Sequence, residues 1–168
     1  FGGIEGIGGA AAVVVTPDES FVYVYGASDG QIAGFARAGD GTLAPIAGSP
    51  FEARLDGDAL AVSPDGRFLA LACASCDELR TFSIDAVTGA LAVTGAATAP
   101  DARDVACAAD GRRVIVAGDG RLSVFDRDPG TGDRAGAWRV PGLGRVHRGG
   151  RGHCRARRGG SRARCRLL

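Results

Sequence analysis

An all-β fold assembled by repetition is what this 168-residue sequence predicts, and three observations predict it. A Pro-Asp turn comes back about every 45 residues, two short apolar runs follow each turn, and no ten-residue stretch carries a helical stripe. The turn reads Thr16-Pro17-Asp18-Glu19-Ser20, then Ser63-Pro64-Asp65-Gly66-Arg67, then, degraded, Ala108-Ala109-Asp110-Gly111-Arg112. Asp18, Asp65 and Asp110 stand at successive intervals of 47 and 45 residues. The turn has a mechanism. Proline presets φ at the first central position, aspartate tolerates the bridge or left-handed region, and glycine accepts positive φ to close the bend.

The elements follow in order. Val13-Val14-Val15 is a β-rich run before the first turn; Ala10-Ala11-Ala12 could nucleate a helix but leads straight into those valines and Pro17. Phe21 to Tyr25 is the strand after the turn, and Gln31 to Phe35 is the next, ending on phenylalanine. Gly41-Thr42-Leu43 then turns the chain. The second unit repeats this order with Ala59 to Val62, Phe68 to Cys73, Glu78 to Phe82, and the turn Thr88-Gly89-Ala90-Leu91. The third has Val114 to Ala117, Arg121 to Phe125 and the turn Thr131-Gly132.

Four short antiparallel strands per 40 to 50 residues is the signature of a β-propeller blade. The fold class expected is therefore all-β: a partial β-propeller of about three four-stranded antiparallel blades, with a disordered Arg/Gly-rich C-terminal tail. The blades are expected at 1–58 (the first with its lead-in), 59–104 and 105–138, the third degraded, with the tail at 139–168. The wording of the repeats carries a resemblance. Val-Val-Val-Thr-Pro-Asp (13–18), Val-Tyr-Val-Tyr-Gly (22–26), Leu-Ala-Val-Ser-Pro-Asp-Gly-Arg-Phe-Leu (60–69) and Phe-Ser-Ile-Asp-Ala-Val-Thr-Gly-Ala-Leu (82–91) resemble YVTN-type repeats. Such repeats occur in bacterial propellers of the lactonase-like kind, similar to 6-phosphogluconolactonase. The resemblance spans about residues 3 to 133 and implies seven blades, so this chain is expected to be a fragment or to need partners. An unclosed array leaves a bare strand edge and an apolar blade face at each end. Missing blades, or another chain, are expected to close the ring.

Candidate chemistry is thinner. Cys73-Ala-Ser-Cys76 is a CxxC without a thioredoxin-like setting or a second CxxC for zinc; a local disulfide is its best functional reading. His147, His153, Cys154 and Cys165 match no common zinc spacing. Asp56, Asp58, Asp101, Asp104, Asp119, Asp126 and Asp128 fall near predicted strand ends. There they could line a channel, hold a hard cation or supply a general base, or simply be solvated turn residues. Asp56-Gly57-Asp58 is only a fragment of a calcium loop. No phosphate loop and no G-x-S-x-G elbow occurs, and residues 1–133 hold no histidine. No catalytic residue, cofactor or metal is assigned. The leading expectation is a non-catalytic binding or scaffold module meeting an unknown small molecule or protein at the blade face. The alternative is a truncated lactonase-like enzyme that hydrolyses a sugar lactone.

Charge divides the chain. All 19 acidic residues lie between Glu5 and Asp133 with nine arginines, a formal charge of −10. Arg134 to Leu168 holds eleven arginines and no acid, +11, and the chain has no lysine. An arginine arm can bind nucleic acid by releasing phosphate counterions, but only Trp138 supplies an aromatic here, so nucleic acid is not expected as a partner. No apolar run approaches the roughly 20 residues of a membrane helix, so no membrane partner is expected. The chain opens on Phe1, contains no methionine, and shows no signal peptide at 1–10, so it is expected to be part of a longer reading frame. Five cysteines leave the compartment open, with a secreted or cell-surface setting favoured over cytoplasm. Translation of GC-rich DNA out of frame yields a lysine-free Arg/Gly/Ala/Cys tail of this kind. Reading the gene in the alternative frames near codon 134 should then restore a strand and another Ser-Pro-Asp-Gly turn; stops or no repeat in both frames would end the idea.

Overall fold

The computed structural model describes residues 7–53, 56–118 and 120–126, and every element among them is a strand. The expectations for the Arg/Gly-rich tail, and for Asp119, Asp128, His147, His153, Cys154 and Cys165, fall outside the described residues. Three antiparallel sheets follow one another along the chain. The first holds β1 (Ala10–Val15), β2 (Phe21–Gly26), β3 (Gln31–Arg37), β4 (Leu43–Pro45) and β5 (Phe51–Glu52). The second holds β6 (Ala59–Val62), β7 (Phe68–Cys73), β8 (Glu78–Ile84) and β9 (Leu91–Thr98); the third, β10 (Asp104–Cys107), β11 (Arg113–Gly118) and β12 (Arg121–Asp126). In each sheet the strands pair in sequence order through hairpins, except that β5 returns to pair with β3. The outer position of the first sheet is split: β4 and β5 pair with opposite ends of β3, where the second sheet has the continuous β9. Ala10 to Ala12 lie within β1; the valines after them decide the backbone.

The repeated turn forms the same bonds three times. Thr16, Ser63 and Ala108 each accept from the N–H three residues on, that of Glu19, Gly66 or Gly111, at 2.8, 2.9 and 2.9 Å. Asp18, Asp65 and Asp110 each accept a backbone N–H two residues on. The closing residue is left-handed in every case, with φ of 59° at Glu19, 69° at Gly66 and 65° at Gly111. Glycine is the ready solution there, and Glu19 manages without it. The first two turns also bury a hydroxyl, Thr16 or Ser63, and Thr16 Oγ1 accepts from Phe21 N at 3.0 Å. Ala108 cannot do this, which is what the degraded third turn lacks.

The first strands of the three sheets lie side by side, β1 against β6 and β6 against β10, so the sheets radiate from a common inner edge. The core lies between the sheets in two layers. Phe21, Tyr23, Tyr25 and Ile32 of the first sheet meet Leu69, Leu71, Cys73 and Phe82 of the second. Phe68, Ala70, Ala72 and Leu79 of the second meet Val105, Val114, Val116 and Phe125 of the third. Every residue of β7 is therefore buried, odd positions toward one neighbour and even positions toward the other. Three polar bonds bind the first sheet to the second. Tyr23 OH donates to Gly89 O at 2.7 Å, Gly57 N donates to Tyr25 OH at 2.7 Å, and Arg80 donates to Ala53 O. Beyond the two layers the outer faces stay apolar and open, as an unclosed array requires. Val13 is 64% and Val15 46% exposed on the first sheet, and Leu122 43% on the third.

Turn chemistry also sets a pH response. Hydrogen bonds from the Thr16 and Ser20 groups hold the Asp18 carboxyl below the usual carboxylate range. The Thr42 hydroxyl and N–H do the same for Asp40, and the Thr88 N–H and hydroxyl, with the Val87 N–H, for Asp85. A group whose pKa is lower folded than unfolded stabilises the fold above its unfolded value of about 3.9, and that contribution is lost as pH falls through the folded value. The melting temperature followed by circular dichroism should hold from neutral pH to about 5 and fall below about 4. Asp85→Ala should make that fall shallower, and equal slopes in variant and parent would contradict the assignment.

Candidate functional site at the inner mouth of the sheets

The connections that lead into the inner strands, and the hairpins that follow β2 and β7, meet at one end of the array. Ala27, Asp56, Gly57, Asp58, Ala74, Ser75, Asp101 and Arg103 line a cavity of about 480 Å³ there. Asp56, Asp58 and Asp101 are thus brought together from the seven aspartates marked in the sequence. The pairing has a simple origin: Asp56-Gly57-Asp58 and Asp101-Ala102-Arg103 are the same positions of consecutive repeats, 45 residues apart. The loop into β10 carries arginine where the loop into β6 carries aspartate.

Each lining segment is held from below. Asp58 Oδ2 accepts from Ala74 N at 2.8 Å, while Asp58 N donates to Ala72 O at 2.8 Å. Arg103 N donates to Ala117 O at 2.9 Å, and its Nη2 lies 3.0 Å from Asp101 Oδ1. The Arg103 side of this pair is largely in water and the Asp101 side about one-third exposed, so the pair orients the guanidinium more than it stabilises the fold. Gly57 is pressed onto the core: a Cβ there would lie 2.4 Å from Leu71 Cδ1 and 3.0 Å from Tyr25 Cε1. A side chain there would have to displace buried Leu71 and crowd Tyr25, so glycine suits the close approach of this loop to the first core layer. Tyr25 forms the floor beneath it. Burial pushes its phenol pKa up, the Gly57 N–H bond opposes this, and the carboxylates of Asp56 and Asp58 add to the rise, so the hydroxyl stays protonated.

Asp77 carries an informative departure. The turn before the third strand of each unit is left-handed at Gly30 (φ 61°), Asp77 (φ 53°) and Gly120 (φ 70°). Where its equivalents are glycine, the second repeat uses aspartate, a residue that tolerates this region. The side chain so gained reaches the next repeat, and Asp77 Oδ1 accepts from Asp101 N at 2.7 Å. Its carbonyl accepts from Ala99 N at 2.8 Å. Asp101 is itself left-handed at φ 57°.

The other marked residues lie elsewhere. Asp104 opens β10 and accepts from Val105 N at 2.9 Å, outside the cavity wall. Asp126 sits at the far end of its sheet, 3.5 Å from Arg113 Nε. Cys73 and Cys76 are joined in a disulfide beside the cavity, and among the described residues no cluster of three metal-ligating side chains occurs. Arg103, Asp77 and Ser75 were not singled out in the sequence. Alignment of the two repeats at 45 residues would have picked out Arg103, since it stands where Asp58 stands beside the shared Asp56 and Asp101.

Radial sheets with strand-ordered hairpins and functional groups at the inner mouth describe a propeller, and the family comparison gives it a kind. The model of the lactonases, described as seven-bladed β-propellers, matches residues 2–102 and again 47–136. The chain belongs to this lactonase family. Its two matches start 45 residues apart, the length of one blade. A comparison with curated protein sequences returns no significant match. Among solved structures, the periplasmic gluconolactonase PpgL of Pseudomonas aeruginosa is 28% identical with a TM-score of 0.66. The alignment covers 80% of this chain and 39% of PpgL. A Bacteroides fragilis protein provisionally named a 6-phosphogluconolactonase is 23% identical with a TM-score of 0.66, over 76% of this chain and 36% of its own. A protein of unknown function from Desulfotomaculum acetoxidans has a TM-score of 0.70 at 16% identity, covering 80% of this chain and 42% of its own. The latter two likenesses speak for the fold alone. The lactonase chain thus spans about two-fifths of the length of these propellers. Family membership favours the lactonase alternative over the scaffold expectation, for which nothing here speaks.

The role of Asp77 can be checked directly. Asp77→Gly keeps the left-handed backbone but removes the bond to Asp101 N, which should speed amide exchange at Asp101 by roughly tenfold, the equivalent of about 1.4 kcal/mol of lost hydrogen bond. Thermal stability should change little. Unaltered exchange at Asp101 would remove Asp77 from the site.

Proposed function

We propose that this chain forms part of the catalytic mouth of a lactonase-type propeller that hydrolyses a sugar lactone. The observation that carries the reading is the convergence of Asp56, Asp58, Asp101 and Arg103 on one cavity, at the inner end of three blades, in a chain of the lactonase family. Lactone hydrolysis needs a water made nucleophilic and a carbonyl oxygen stabilised as it becomes negative. Asp58 is tied to Ala74 N and Asp101 to Arg103. Asp56 is the lining carboxylate left to take the proton of the attacking water. Arg103 faces the same space as its cation and stabilises the oxyanion. As the tetrahedral intermediate collapses, the ring oxygen leaves, takes a proton and becomes the hydroxyl of a hydroxy acid. The remaining carboxylates suit the hydroxyl groups of a sugar.

The family's seven blades and the three sheets here leave four to be supplied, by the rest of the protein or by another chain. The open valine faces support that part of the reading. The periplasmic relative and the Cys73–Cys76 disulfide support a setting outside the cytoplasm.

The test uses the whole protein that contains this chain, with gluconolactone and its 6-phosphate as substrates and acid release followed at constant pH. Hydrolysis of either supports the reading. Asp56→Asn should lower kcat/KM by about a hundredfold, the scale of a lost general base. Arg103→Ala should cost a similar factor, the scale of a lost oxyanion donor. No hydrolysis of either substrate, or full activity in both variants, would overturn it.

A further inference from the structure

We propose that the Cys73–Cys76 disulfide is a redox-sensitive clamp on the cavity wall, so that reduction by a dithiol loosens the site. The inference rests on the reading of this cavity as the catalytic mouth.

The disulfide closes the turn that joins β7 to β8, and Ala74 and Ser75 within that turn line the cavity. Three observations make it a clamp rather than an ornament. First, apart from the bonds that Cys76 N, at 3.1 Å, and Ser75 Oγ make to Cys73 Sγ itself, the turn has little else to close it. The equivalent turn of the first sheet is closed by Gly30 N donating to Gly26 O at 2.9 Å, whereas here Asp77 N reaches Ala74 O only at 3.4 Å. A bond of that length is weak, and the covalent link takes its place. Second, both ends of the turn hold other parts of the wall. Ala74 N donates to Asp58 Oδ2 at 2.8 Å, and Asp77 Oδ1 accepts from Asp101 N at 2.7 Å. The turn therefore ties the loop leading into β6 to the loop leading into β10. Third, the two cysteines differ in exposure. Cys73 is fully buried at the end of β7, and Cys76 is exposed in the turn. Cys73 stands where the other sheets have Gly26 and Gly118 in the same register, so it is an addition to the repeat.

The chemistry is ordinary thiol–disulfide exchange. A thiolate of the dithiol attacks the exposed Cys76 Sγ, and Cys73 leaves and takes a proton. The second thiol of the reductant then displaces Cys76. Two cysteine thiols form as the dithiol becomes a disulfide. Oxidation reverses the sequence.

The experiment compares the whole protein untreated and after dithiothreitol, reading lactone hydrolysis and amide exchange at Ala74 and Asp101. Reduction should speed both exchanges by roughly tenfold, as expected for a local opening made easier. It should lower kcat/KM at least about threefold, and reoxidation should restore both readouts. Cys76→Ser should resemble the reduced protein and ignore dithiothreitol, which separates this pair from the other cysteines. Unchanged exchange on reduction, or a response that persists in Cys76→Ser, would overturn the clamp. If neither form hydrolyses lactone, the hydrolase reading fails while the exchange data still decide the clamp.

Discussion

Burial of both faces of β7 is the constraint on which the rest depends. A strand in a sheet with one wet side alternates apolar and polar residues; Phe-Leu-Ala-Leu-Ala-Cys does not, because each face meets another sheet. Leu69 and Leu71 fill the layer toward the first sheet, while Ala70 and Ala72 leave room for Val105, Val114, Val116 and Phe125 of the third. A sheet packed on two sides cannot be stable alone, so the unit of folding is the stack. The same physics leaves valines open on the first sheet and Leu122 on the third, since each end of the stack lacks its neighbour.

That packing decides where chemistry can be placed. Stacked blades share an axis, so equivalent positions in consecutive repeats come together at the inner mouth although they are 45 residues apart in the chain. A repeat therefore builds a site by varying single residues at one shared position. Arg103 stands where the preceding unit has Asp58, so one cation joins the three carboxylates that face the cavity. Asp77 in place of a turn glycine did the same for support, adding a bond between repeats without changing the turn. Tyr25 and Gly57 join the two levels, because the hydroxyl that seals the core also carries the loop that forms the floor of the site.

Much of the fold was legible in the sequence. The runs Phe21 to Tyr25, Phe68 to Cys73 and Arg121 to Phe125 mark strands because they are short, apolar and β-prone stretches bounded by turn residues. The Pro-Asp turns mark their ends because the required backbone angles admit few residues. The site was legible only in part. Asp56, Asp58 and Asp101 stood out with Asp104 and Asp126, and nothing in the sequence divided them. Asp126 belongs to the opposite end of its sheet, beside Arg113.

The all-β class, the turns and the wording of each repeat, and with it the lactonase-like kinship, are written in the sequence, because each rests on residues within a few positions of one another. The tertiary structure decided which strand ends meet. It selected three aspartates, brought Arg103 to them, and joined Cys73 to Cys76 beside the cavity. The reason is that contact between residues tens of positions apart follows from how sheets stack, and stacking depends on the shape of both buried faces at once.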